Sequence, residues 1–183
     1  MKGDFSRWAF DPVANFSGVL YQQGRVRTDV DDNAATRIGA HWRETAARDV
    51  IGAGIAAAPA DAGGGFKVVA AKVVAGSVSV RLDPGRLWAD GLHLHLPSAG
   101  PVDLPAAYLA PPLQTPQASV ATIAAGVRDA VVLEVWEESV SAFQEPLQLL
   151  EPALGGPDTT ERSRVSARLA LMPVTATARS PRA

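Results

Sequence analysis

Val78-Ser79-Val80-Arg81-Leu82, Asp83-Pro84-Gly85, Arg86-Leu87-Trp88-Ala89, Asp90-Gly91 and Leu92-His93-Leu94-His95-Leu96 follow one another without a break, strand patterns alternating with turn residues. Apolar residues take every second position of 78–82 and again of 92–96, the two-residue period of a half-buried strand. Asp83-Pro84-Gly85 is turn chemistry: proline fixes φ and carries no N–H, and glycine accepts backbone angles closed to other residues. Asp90-Gly91 between two apolar runs is a strong signal for a tight hairpin turn. The spacing predicts an antiparallel meander over 78–96.

Downstream, Ala130-Val131-Val132-Leu133-Glu134-Val135-Trp136 is a run suited to a central strand. Glu137-Glu138 is expected to turn it into Ser139-Val140-Ser141-Ala142-Phe143, giving a second hairpin. Val165, Ala167, Leu169 and Leu171 alternate with Ser166 and Arg168, which predicts a last half-buried strand. Segments 52–65 and 97–126, rich in glycine and proline, are expected to be loops.

Upstream, Ala34, Ala35, Ile38, Trp42, Ala46 and Val50 recur at helical spacing behind a cluster of N-cap residue types from Asp29 to Asn33. A helix over 32–50 is expected, with Glu44 and Arg48 paired at i and i+4 and the Ile38/Trp42 side packed on a sheet. Residues 1–30 carry the rings Phe5, Trp8, Phe10, Phe16 and Tyr21 with neither helical nor strand period, and read as an extended arm. The expected fold class is α+β: predominantly antiparallel β, one N-terminal amphipathic helix and an extended N-terminal arm. The expected organisation is the arm at 1–30, a single domain at 31–174 and a disordered tail at 175–183.

Across 183 residues, 17 basic and 19 acidic side chains are well mixed, for a formal net charge of −2. No basic stripe is available to neutralise phosphates, so neither nucleic acid nor an anionic membrane surface is an expected partner. The chain has no cysteine, which removes disulfides, thiolate metal ligands and a thiol nucleophile. No apolar run of about 18 residues appears, and the first residues lack the apolar core of a signal peptide, so membrane insertion is not expected.

His93 and His95 share one face of a strand, as two metal ligands would, but two ligands do not complete a site, and His41 belongs to the helix. Asp29-Val30-Asp31-Asp32-Asn33 has the Asp-x-Asp-x-Asn opening of a calcium loop, yet Ala34 and Ala40 stand where its glycine and final glutamate are needed, so helix capping is expected. Glu134, Glu137 and Glu138 could be set out as a glycosidase's carboxylates, and are expected instead to be solvated charges at a turn. No nucleophile elbow, phosphate loop or dinucleotide fingerprint is present. No catalytic residue, metal or cofactor is assigned, and the chain is not expected to be an enzyme.

Lys2-Gly3-Asp4-Phe5-Ser6-Arg7, Phe10-Asp11-Pro12 and Phe16-Ser17-Gly18-Val19-Leu20-Tyr21-Gln22-Gln23-Gly24-Arg25-Val26 together form a landmark. So do Gly85-Arg86-Leu87-Trp88-Ala89-Asp90-Gly91, Leu133-Glu134-Val135-Trp136-Glu137 and Ala153-Leu154-Gly155-Gly156-Pro157-Asp158-Thr159. In this order they resemble a family of unknown-function proteins encoded in clusters for extracellular contractile injection systems, the phage-tail-like particles. The chain departs from that pattern at the helix start, where it reads Asp29-Val30-Asp31-Asp32-Asn33-Ala34 in place of a Trp-Asn-Glu-like stretch.

In that family the module is typically N-terminal to β-helix, fibre-like or sugar-binding regions. The resemblance therefore implies a structural adaptor or fibre-attachment subunit at the baseplate, with baseplate or other particle proteins as partners. It also implies a three-fold or six-fold homo-oligomer, assembled in the cytoplasm and then part of the particle, extracellular after lysis. The interface expected on this reading is Phe5, Trp8, Phe10, Phe16, Tyr21, Gln22 and Gln23. The alternatives are a carbohydrate-binding module using Trp88 and Trp136 and, third, a cell-wall glycan hydrolase.

Overall fold

The structure, a computed structural model, describes residues 5–57, 64–110, 115–117, 119–123 and 129–174. The tail expected to be disordered, 175–183, and parts of both expected loops lie outside the described residues. The fold is mixed α+β, mostly sheet, with one main helix. In chain order the elements are α1 (Asp29–Val50), β1 (Gly54–Ala57), β2 (Val68–Val74), β3 (Ser77–Leu82), β4 (Gly85–Ala89), β5 (Leu92–Leu96) and β6 (Val102–Ala110). They continue with β7 (Thr115–Pro116), β8 (Asp129–Val140), α2 (Pro146–Leu149) and β9 (Arg162–Pro173). One sheet has the order β1-β4-β5; the other runs β2-β3-β6-β9-β8, with β7 on β6.

Several expectations are corrected. The tight hairpin at Asp90-Gly91 forms between β4 and β5, both turn residues holding positive φ (47° and 88°). The meander does not: β3 pairs with β2 and β6, and at Asp83-Pro84 the chain leaves one sheet for the other. β3's second partner comes from the segment expected to be a loop. β6 runs antiparallel to β3 and parallel to β9, and its parallel ladder begins at Ala106, just past Pro105, which has no N–H to offer. Residues 54–57, also expected in a loop, are β1.

The second hairpin is absent as well, because Glu137 and Glu138 lie inside one continuous twelve-residue strand. Arginines make this tolerable. Arg37 Nη1 donates to Glu137 Oε1 at 3.0 Å, Arg164 Nη2 to Glu138 Oε1 at 3.0 Å, and Arg168 Nε to Glu134 Oε2 at 2.7 Å. β8 and β9 are thus stitched by cross-strand Glu–Arg pairs, which stabilise a sheet surface that uncompensated glutamates would not.

By its contacts the chain divides into two units. One holds 56–87, 94–136 and 167–183, with the principal core: Val78, Val80, Leu82, Leu169 and Leu171 are buried, and Phe66, Leu104 and Tyr108 pack around them. The burial alternates along β3 as its sequence does. At the edge of this sheet β2 is apolar and exposed; a register slip between Val68 and Ala70, together with Lys72, blunts it against further strand pairing.

The other unit holds 1–55, 88–93 and 137–166. Its helix starts earlier than expected, since Thr28 is the N-cap: its Oγ1 accepts from the Asp31 N–H at 3.4 Å and donates to Asp31 Oδ2 at 2.9 Å. Ile38 and Ala47 are the helix's buried residues. Nine positions at about 100° each put them on opposite sides of the axis, so the single apolar face that was expected is replaced by burial on two sides. Arg48 turns away from Glu44 and grips the hairpin, donating to Asp90 Oδ1 at 2.6 Å and to the Asp90 carbonyl at 3.0 Å.

Candidate interaction site on the N-terminal arm

From Phe5 to Thr28 the chain has no regular structure beyond one 3-10 turn at Pro12–Ala14, capped by Asp11 and closed by Asn15 at φ 55°. With so few backbone bonds of its own, the arm is held by side chains of α1. The acidic cluster of the sequence does this at the helix start. Asp29 accepts the Ser6 N–H at 3.1 Å and the Ser6 hydroxyl at 2.9 Å; Asp32 accepts the Tyr21 hydroxyl and Arg27 Nη2, the latter at 2.6 Å. The Arg27 guanidinium also lies over the Tyr21 ring, 4.6 Å from its centre. Further along, Phe10 meets the His41 ring at 5.5 Å, and Trp42 Nε1–H donates to the Phe16 carbonyl at 3.2 Å. Trp42 was expected against a sheet; it is half exposed and ties down the arm instead.

These contacts sort the expected interface residues. Phe5 and Phe10 are half-buried. Trp8, 6.2 Å from Phe5, is more exposed, as are Phe16 and Tyr21. Gln22 and Gln23 are exposed in a turn closed by Arg25 N–H donating to the Gln22 carbonyl, with Gly24 at φ 72°. What fixes the arm is polar and what it displays is apolar. The rings were visible in sequence; their anchors were not, because a carboxylate at a helix start reads as a capping residue whatever else it holds.

The anchors shift the acids in a direction that can be tested. Hydrogen bonds from the Ser6 backbone and hydroxyl hold Asp29 below the usual carboxylate range, and those from Tyr21 and then Arg27 do the same for Asp32. The same bond, to Asp32, raises the Tyr21 hydroxyl. A lowered folded-state value means that the contribution to arm docking is complete above about pH 4 and is lost as pH falls through the lowered values. Amide hydrogen exchange over 5–28, corrected for its intrinsic pH dependence, is expected to show lower protection at about pH 2 than at about pH 6. Joint Asp29→Asn and Asp32→Asn substitution is expected to release the arm at both. Equal protection of the native arm at the two values would contradict the role given to these acids.

Two cavities open in this unit. One, about 960 Å³, lies at the arm's base and is lined by Phe5, Trp8, Asp32, Arg37, Glu138 and Glu161 among others. Its carboxylates are engaged: Glu138 by Arg164 and Ser166, Glu161 by Ser139. The other, about 840 Å³, is bordered by α1 and by Trp88 and His93, whose rings are 4.6 Å apart. Among the described residues no three of His, Asp and Glu are grouped as a metal ion would require. Asp31 and Asn33 lie inside the first turns of α1, not in a calcium-type loop.

No curated protein and no solved structure matches the chain. A family profile does, across residues 1–182, and with nearly the full length matched the chain belongs to the family of unknown function DUF6519.

Proposed function

We propose that this chain is a non-enzymatic structural component of a phage-tail-like contractile injection particle, a baseplate-associated adaptor or fibre-attachment subunit. The observation that supports this reading most is the arm, whose backbone is pinned to α1 by polar bonds while Trp8, Phe16, Leu20 and Tyr21 stay exposed. Anchored, outward-facing rings are what a binding segment needs: large contact area at little ordering cost when a partner supplies the groove. The order of its sequence landmarks supports the particle as the setting. Assembly in the cytoplasm and release with the particle on lysis belong to the same proposal.

The test is to tag the chain in its host, sediment particles from a lysate, and follow it by mass spectrometry and labelled electron microscopy. Co-sedimentation with sheath and baseplate proteins, and label at the baseplate end, is the expected result. A chain found free in the lysate, with intact particles lacking it, would overturn the proposal. A glycan-binding role has a weaker footing in Trp88, which borders the cavity of about 840 Å³ but already has its ring against His93.

A further inference from the structure

We infer that segment 12–28 of one copy docks on segment 142–160 of a second copy, a head-to-tail contact between two unlike surfaces of the same chain. This goes beyond the adaptor reading and stands whether or not the chain rides on a particle.

Both segments belong to the unit that carries α1, and both leave large apolar side chains in water. On the arm Phe16 is 64% and Leu20 95% exposed, with Val13 and Val26 also outside; on 142–160 Phe143 is 96% and Leu147 99% exposed, with Leu150 and Leu154 beside them in sequence. Single exposed apolar residues are ordinary, but runs of them on segments of fixed shape mark contact surfaces.

Charge selects the occupant. Segment 12–28 holds Arg25 and Arg27 and no acidic residue, whereas segment 142–160 holds Glu145, Glu151 and Asp158 and no basic one. Arg27 is already paired with Asp32 and Glu145 with Arg164, so the charges opposed across the contact are Arg25 on one side and Glu151 and Asp158 on the other, opposite in sign as a steered and registered protein contact requires. A symmetric contact of either segment with itself would oppose like charges.

Both surfaces are also shaped before they meet. The arm is tied to α1 by Ser6, Tyr21, Arg27 and Trp42. Segment 150–158 closes on itself through the Leu150–Asp158 bridge, Glu151 N–H to the Pro157 carbonyl at 3.0 Å and Gly156 N–H to the Glu151 carbonyl at 3.0 Å. Pre-shaped partners lose little conformational freedom on binding. A contact between unlike surfaces leaves one of each unused on a pair, so it propagates to a closed ring or to a filament.

The test is light scattering behind size exclusion on the full chain and on Leu20→Asp and Leu147→Asp, both at exposed positions where folding tolerates the change; circular dichroism checks that they fold. The native chain is expected to run as an oligomer larger than a dimer, and each variant alone as a monomer. Mixed in equal amounts, the two variants are expected to form a dimer and nothing larger, because the Leu147→Asp copy keeps a sound arm and the Leu20→Asp copy a sound acceptor. Arg25→Glu is expected to weaken assembly and Glu151→Arg in the same chain to restore it. A native chain that stays monomeric up to its solubility limit, variants that assemble like the native chain, or a mixture that stays monomeric would each overturn the inference.

Discussion

Gly91→Ala is expected to cost about 3 kcal/mol of stability, read as a fall in the urea midpoint with little change in slope. Two penalties add. Gly91 sits at φ 88°, where a side chain is strained, and a Cβ built there would meet the Glu44 carbonyl oxygen, with the carbonyl carbon at 2.9 Å and Glu44 Cα at 3.1 Å. These are backbone atoms of α1, which cannot step aside as a flexible side chain would. Arg48 holds the same junction shut through Asp90, so the turn cannot relieve the clash without giving up an ion pair and a hydrogen bond to a carbonyl. Gly18 supplies the control: it has open space around the position of a Cβ, and Gly18→Ala is expected to be neutral within about 0.5 kcal/mol. Equal stability of the two variants would refute the close approach of turn and helix.

Leu171→Ala is expected to cost a similar amount, about 3 kcal/mol, for a different reason. The side chain is nearly fully buried in the cluster with Val78, Val80, Leu82 and Leu169, so its removal forfeits transfer energy and leaves a cavity that neighbouring strands fill only in part. Its strand lies between β6 and β8, with no free edge along which it could shift to collapse the hole. Leu147→Ala, at a fully exposed leucine, is the matched control and is expected to change little in dilute protein. A cost below about 1 kcal/mol for Leu171→Ala would mean that this cluster is not the core.

What could be read in advance followed from locality. Val78, Val80 and Leu82 alternate because one face of β3 is buried and the other is not, and Asp90-Gly91 turns because only residues tolerant of positive φ fit there; both signals lie within a few residues. β6 escaped because its pairing is decided elsewhere: Val102 to Tyr108 includes Asp103 and Pro105, residues poor in strands, and only β3 and β9 on either side make it one. Glu137-Glu138 read as a turn since adjacent carboxylates suggest water, and no local rule announces that Arg37 and Arg164 will neutralise them. The site divides the same way. Its aromatic residues stood out by density, whereas the bonds that aim them join residues 11 to 26 positions apart.

The parallel pairing of β6 with β9 has a consequence for the order of synthesis. Ala106 is matched to Leu169, so about sixty residues must leave the ribosome after β6 before its second neighbour exists, roughly 3–12 seconds of translation. Through that interval a nascent chain can zip the β2–β3 hairpin and add β6 to it, but one flank of β6 offers unpaired amides and carbonyls to whatever strand arrives first. Chaperone demand for this chain should therefore peak late, between completion of β6 and emergence of β9, and premature termination in that window should yield aggregates, not a soluble fragment.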